Sequence, residues 1–200
     1  MNVKSKSLKL FSILAMAISV TSCGYNTIQK QDEDVNAALS EVNNQYQRRA
    51  DLIPNLVSVV KGYATHERET LQSVIEARSK VAGIKVDKGL LDNPEQFKRY
   101  QEAQDQLSGS LSRLMMITES YPNLKANEGF RDLQAQLEGT ENRITVARNR
   151  YIKSVQSYNT FIRQFPTVIT AKIIHAEVKP NFSTITPNSD RAPQISFDKH

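Results

Sequence analysis

The sequence predicts an all-α fold: an antiparallel up-down four-helix bundle with long helices, a kinked first helix and an extended C-terminal tail. Three observations point there. Apolar side chains recur at alternating steps of four and three, the spacing of a helix face packed against partners. Seven Gly, seven Pro and no Trp among 200 residues leave few tight turns, and a composition 39% hydrophobic and 24% charged suits a folded body. The links between the periodic segments are short, which favours antiparallel neighbours.

The first helix is the most regular. Ile28, Asp32, Val35, Leu39, Val42, Tyr46, Arg49, Ile53, Leu56, Val60 and Tyr63 follow the spacing, and nine of the eleven are apolar or aromatic. Asn26 or Thr27 can cap its start and Gly62 lies near its end. Such a helix reaches about 50 Å. Pro54 interrupts it, and a proline there leaves the carbonyl of Ala50 without its usual donor. The seam keeps its register on both sides, so a kink is expected rather than a break.

The second segment runs from about His66 to Ala82, with Thr65 as cap and Glu67 and Glu69 in the first turn. Leu71, Val74, Ile75, Val81 and Ala82 form its apolar face. It is short, so the ends of the first and fourth helices are expected to pack only on each other. Residues 83–92 read as a looser connection. Asn93-Pro94-Glu95-Gln96 starts the third helix, with Asn as cap and Pro at the first position. Phe97, Tyr100, Gln104, Leu107, Leu111, Leu114, Thr118 and Tyr121 carry the spacing until Pro122 ends the run. A fourth helix begins between Asn123 and Asn127. Its inner face is marked by Phe130, Leu133, Leu137, Thr140, Ile144, Ala147, Tyr151, Tyr158, Ile162 and Phe165, and it stops near Pro166. Beyond it, Val168 to Val178 is expected to form a short helix or strand against the bundle. Ser183 to His200 reads as an extended tail.

The amino terminus has a different character. Met1 to Lys9 is basic, Leu10 to Val20 is largely apolar, and Val20-Thr21-Ser22 leads into Cys23. A basic start, an apolar stretch and small residues before a cut site describe an export signal. Eleven residues of helix span about 16 Å, roughly half the bilayer core, so a stable spanning helix is a poor fit. Val-Thr-Ser-Cys resembles the lipobox of bacterial lipoproteins. That resemblance implies transfer of a diacylglycerol to the Cys23 sulfur, cleavage before Cys23 and acylation of the new amino terminus, with palmitate for example, which anchors the chain to a membrane. Gly24 follows, rather than Asp, the pattern of lipoproteins sent to the outer membrane in Gram-negative cells. The expected organisation is a signal peptide over residues 1–22, a bundle over 23–166, and a packed segment with tail over 167–200.

This reading also explains the charge. The formal +5 includes Lys4, Lys6 and Lys9; without them 23 basic residues face 21 acidic ones. Arg48-Arg49, Lys98-Arg99 and Arg148 to Arg150 are small groups among acidic neighbours, not the basic face that nucleic acid requires. Cys23 is the sole cysteine, which excludes an intrachain disulfide.

One family shares these residues. Gly24-Tyr25-Asn26-Thr27-Ile28, Val35 to Ala38, and the run Asn44-Gln45-Tyr46-Gln47-Arg48-Arg49-Ala50-Asp51-Leu52-Ile53-Pro54-Asn55-Leu56-Val57 resemble the LemA family. So do Val60 to Ala64, Ala77-Arg78, Leu137 to Ile144, Ala147-Arg148, Tyr158-Asn159 and Phe165-Pro166. The likeness covers about residues 24–166. It implies a membrane-anchored bacterial protein with an extracytoplasmic antiparallel helical domain, and it supplies no reaction or substrate. Family members often carry a Gly-Phe turn and a Pro-rich stretch after the bundle; Ile174 to Pro180 stands there in this chain.

A search for chemistry finds little. His66, His175 and His200 lack the Glu-x-x-His spacing of bundle metal centres, and Thr70 stands where a zincin would need its second His. Glu138 and Glu141 are a carboxylate pair one turn apart beside Arg143, a spacing that suits ion pairing better than hydrolysis. No enzyme activity and no cofactor are expected. Arg49 stands where an apolar side chain belongs. Either its stem packs while its head reaches water, or it pairs with a carboxylate such as Glu138 or Glu141 and sets helix register. Tyr46, Tyr63, Tyr121, Tyr151 and Tyr158 read as core-edge residues with wet hydroxyls. The expected role is a non-enzymatic scaffold or protein-interaction module of the cell envelope. Its partners are the membrane, through lipid on Cys23, and an envelope protein met by Arg48, Arg49, Asp51 and Asn55 near the kink. The alternative is a ligand-sensing bundle, hinged at Pro54, that signals through a partner protein.

Overall fold

The computed structural model of the protein describes residues 3–64, 66–86 and 88–183, with side chains described from Gly24 onward, Lys88 excepted. Among these residues every regular element is helical. They are α1 (Val3–Tyr63), α2 (Arg68–Ala82), α3 (Pro94–Thr118), α4 (Pro122–Ala126), α5 (Glu128–Phe161) and α6 (Thr167–Ile173), with one 3-10 turn at Lys88–Leu90. The expectations for Thr65, for the side chain of Cys23 and for the tail beyond Ser183 lie outside the described residues.

Residue pairs fix the directions. Tyr63 meets Asn127, Arg49 meets Glu141, and Asp32 lies near Lys179 beside Tyr158, so α5 runs antiparallel to α1. Ser73 meets Ser110 while Lys80 meets Gln106, so α3 runs antiparallel to α2. The seam of α1 is buried at Ile28, Val35, Leu39, Val42, Tyr46, Arg49, Ile53, Leu56 and Val60; Asp32 is half-buried and Tyr63 exposed.

Helix starts follow local chemistry. The Asn93 side chain accepts from the backbone N–H of Gln96 at 3.1 Å, with Pro94 in the first turn. The fourth long helix is split at its start. Pro122 opens the short α4, and Asn127 then caps α5, its Oδ1 accepting from Phe130 N–H at 2.9 Å. α5 ends at Phe161, four residues before Phe165, which is exposed rather than part of the inner face.

The interior is not one core. A lower cluster gathers Ile28 to Tyr46 of α1 with Ile144 to Ile162, Phe97, Tyr100, Leu90 and Leu91. An upper cluster gathers Ile53 to Val60 with Leu71, Val74, Leu107, Leu111, Leu114, Phe130 and Leu137. Nor do the lower ends of α1 and α5 pack only on each other. Leu90 and Leu91 from the α2–α3 connection, Ala171 of α6 and Phe182 complete that end. Short α2 leaves apolar surface there that water would otherwise wet, and these residues cover it.

Candidate functional site

Between the two clusters lies a polar layer centred on Arg49, whose side chain is 0% exposed. Its Nη1 donates to Glu141 Oε1 at 2.9 Å and to Ser108 Oγ at 2.5 Å. Its Nη2 donates to Gln104 Oε1 at 2.6 Å and to the Gln104 carbonyl at 3.3 Å. The guanidinium also lies 5.0 Å from the centroid of the Tyr46 ring. One planar, permanently charged fork thus ties α1 to α3 and α5. Of the two readings open for Arg49, the pair is the one found, and its carboxylate is Glu141. Glu138 instead accepts from Gln134 at 3.0 Å. As an exposed contact residue Arg49 is therefore corrected: it belongs to the interior, while Arg48, Asp51 and Asn55 are exposed.

The proline of α1 is handled nearby. The helix continues through Pro54, and the Ala50 carbonyl accepts from Arg78 Nε of α2 at 3.0 Å. A side chain from the neighbouring helix replaces the donor that proline lacks. Beside this contact lies a cleft of about 230 Å³, lined by Tyr46, Ala50, Arg78, Val86, Tyr100 and Gln104 among others. Burial raises the Tyr46 hydroxyl above its ordinary pKa, with the guanidiniums of Arg148 and Arg49 pulling the other way. Tyr100 is raised as well, again chiefly by burial.

The tyrosines are not the uniform edge set the spacing suggests. Tyr46, Tyr151 and Tyr158 sit inside the core, Tyr63 is exposed, and Tyr121 is half-buried with its hydroxyl donating to Glu67 at 2.9 Å. Burial raises Tyr151 and Tyr158 as well.

After α6 the chain turns at His175, whose φ of 54° lies in the left-handed region, and runs without regular secondary structure to Ser183 as a strap. Two side-chain amides each grip the N–H and the carbonyl of one strap residue. Asn159 donates to the Lys179 carbonyl and accepts from the Lys179 N–H, each at 2.9 Å. Gln101 donates to the Ser183 carbonyl and accepts from the Ser183 N–H. Tyr151 donates to the Pro180 carbonyl at 2.7 Å. Phe182 enters an aromatic box, 5.0 Å from Phe97 and 5.1 Å from Tyr151, with Arg148 over its ring at 4.5 Å. Lys179 pairs with Asp92 at 2.8 Å and Asp32 at 3.4 Å. Burial works against its charge, but the Asp92 hydrogen bond and the field of Asp32 prevail and hold its pKa above the usual lysine value. The sequence shows Gln104 as a polar break in a seam. Nothing in spacing alone marks Ser108, Arg78, Gln101 or Asn159 as its counterparts.

No group of His, Cys, Asp and Glu that could hold a metal ion occurs among the described residues. Among them, too, no helix is long and apolar enough to cross a membrane.

Comparison with known proteins adds kinship. A model of the LemA family matches residues 38–197, so the likeness continues through α6 and the strap, past the bundle where the sequence places its limit. Magnetosome protein MamQ 2 of Paramagnetospirillum magneticum is 25% identical over 180 residues, covering 80% of this chain and 65% of that protein. Magnetosome protein MamQ of Magnetospirillum gryphiswaldense is 27% identical over 176 residues, 78% of this chain and 64% of that protein. Protein LemA of Metamycoplasma hominis is 26% identical over 147 residues, 74% of this chain and 63% of that protein. The chain spans less than two thirds of the length of each of these relatives.

Proposed function

The chain belongs to the LemA family, and from that premise we propose that it is an envelope lipoprotein, tethered through Cys23, whose bundle serves as a non-enzymatic scaffold for a protein partner. The observation that carries this reading is the division of polar groups on α1. The buried one, Arg49, is spent on internal bonds, while Arg48, Asp51 and Asn55 stand exposed at steps of three and four on one helix face. A face so placed, beside Pro54 and with Arg49 bonded inside the bundle behind it, is open to a partner. Photocrosslinking in cells from positions 48, 51 and 55 tests it. Capture of one protein at these sites and not from exposed Glu76 on α2 is expected; equal or no capture refutes the face. Fatty-acid labelling tests the anchor separately, and Cys23→Ala should abolish it.

The cleft favours a second reading, a sensor of small ligands. It touches both Arg78, which bridges α1 and α2, and Gln104, which bonds Arg49. The Tyr46 hydroxyl is buried without a hydrogen-bond partner among the described residues. A saturable rise in melting temperature with a small molecule, lost in Arg78→Met, would favour sensing over scaffolding.

A further inference from the structure

Next to Cys23 in the chain, Gly24 lies against α6. A Cβ built on Gly24 would stand 3.6 Å from Thr170 Oγ1 and 3.7 Å from Thr167 Cγ2. The inner face of α6, made of Thr167, Thr170 and Ala171, is buried against α1 and the lower core. Its outer face is apolar and uncovered. Phe165 is 82% exposed, Ile169 49% and Ile173 68%. Ile169 and Ile173, four apart on α6, form one stripe, and Phe165 stands exposed in the turn just before the helix. Exposed Arg163 and Lys172 stand close to these residues in the chain. Large apolar side chains gathered on one exposed face mark an interaction site. Basic residues at the edge of such a face suit anionic lipid headgroups.

We propose that this stripe is a membrane-contact face, in which Phe165, Ile169 and Ile173 enter the lipid interface beside the anchor while Arg163 and Lys172 meet headgroup phosphates. The inference rests on the reading of Cys23 as the membrane-proximal point. The contact between Gly24 and the inner face of α6 then sets the stripe one helix diameter, ~10 Å, from the anchor. A single flexible tether would leave the bundle free to tumble. A second contact a helix-width away fixes its tilt, and with it the direction in which α1 presents Arg48, Asp51 and Asn55.

The test uses the full chain in cell membranes containing phosphatidylglycerol. A photoreactive benzoylphenylalanine replaces Ile169, Ile173 or, as a control, Met116, which is 73% exposed on α3. The expected result is a phospholipid adduct at 169 and 173 at least tenfold above that at 116. Equal adducts at all three positions, none at 169 and 173, or protein-sized adducts there would overturn the proposal. Acyl labelling of the same samples keeps the two readings apart. Loss of label with the adducts intact sinks only the lipid on Cys23; intact label without adducts sinks only the contact face.

Discussion

At the scale of single residues, Arg49 shows how a polar side chain can occupy a bundle seam. Its charge is buried, but four acceptors meet it, and Glu141 remains 40% exposed to water. These facts rank the substitutions. Arg49→Met leaves Gln104 Oε1 and Ser108 Oγ without their partner, and stability should fall by about 2–4 kcal/mol in urea unfolding. Glu141→Gln should cost under about 1 kcal/mol, because solvent screens the ion pair and the neutral amide still accepts. Adding Gln104→Leu and Ser108→Ala to Arg49→Met should recover much of the loss, since the two α3 side chains that the guanidinium satisfied are then no longer stranded. A triple variant no more stable than the single one would count against this account.

At the scale of elements, two repairs hold the helices together. The first is Arg78 at the carbonyl that Pro54 orphans. Arg78→Met should cost about 1–2 kcal/mol in the parent chain. In a Pro54→Ala background the new residue supplies the missing N–H, and the same change should cost markedly less. A double-mutant cycle reads the difference, and simple additivity would disprove the coupling. The second repair is the strap. Asn159 and Gln101 pair with it as a neighbouring β-strand would, each satisfying the N–H and the carbonyl of one strap residue. Asn159→Ala should therefore speed hydrogen exchange at the Lys179 amide by at least tenfold while amides in the middle of α5 keep their protection. Unchanged exchange at Lys179 would mean that the clasp does not hold the strap.

At the scale of the whole molecule, the two apolar clusters and the layer between them should respond together to alkali. Tyr46, Tyr100, Tyr151 and Tyr158 all have pKa values raised by burial, and Lys179 is raised by its carboxylates. In each case the folded state holds its proton more tightly than the unfolded chain. The stability this contributes is complete below the unfolded values, about 10 for tyrosine and 10.4 for lysine, and is lost as pH rises through the folded ones. Thermal midpoints should thus be insensitive to these groups at neutral pH and fall steeply above about pH 10. The tyrosinate absorbance of these four buried rings should appear together with loss of helix, not before it. Early, gradual ionisation of Tyr46, Tyr100, Tyr151 and Tyr158 would contradict their burial.

The seam of α1, the cap at Asn93, the stop before Pro122 and a helix start between Asn123 and Asn127 were legible in the sequence because they depend on neighbours within a turn or two. Periodicity says which face turns inward, and a cap needs only the next three residues. It also marked Arg49 as anomalous and the Ala50 carbonyl as orphaned. What answered those anomalies lay 28 to 92 residues away, in Arg78, Gln104, Ser108 and Glu141. The strap was hidden for the same reason: Phe182 and Lys179 have no pattern of their own, and their place is set by Phe97, Tyr151, Asn159 and Gln101 on two other helices. The sequence by itself determined which segments wind into helices and which side chains need partners. Only the tertiary structure decided who those partners are, because hydrogen bonds and ion pairs are short-ranged, and close approach across the bundle is not written in sequence separation.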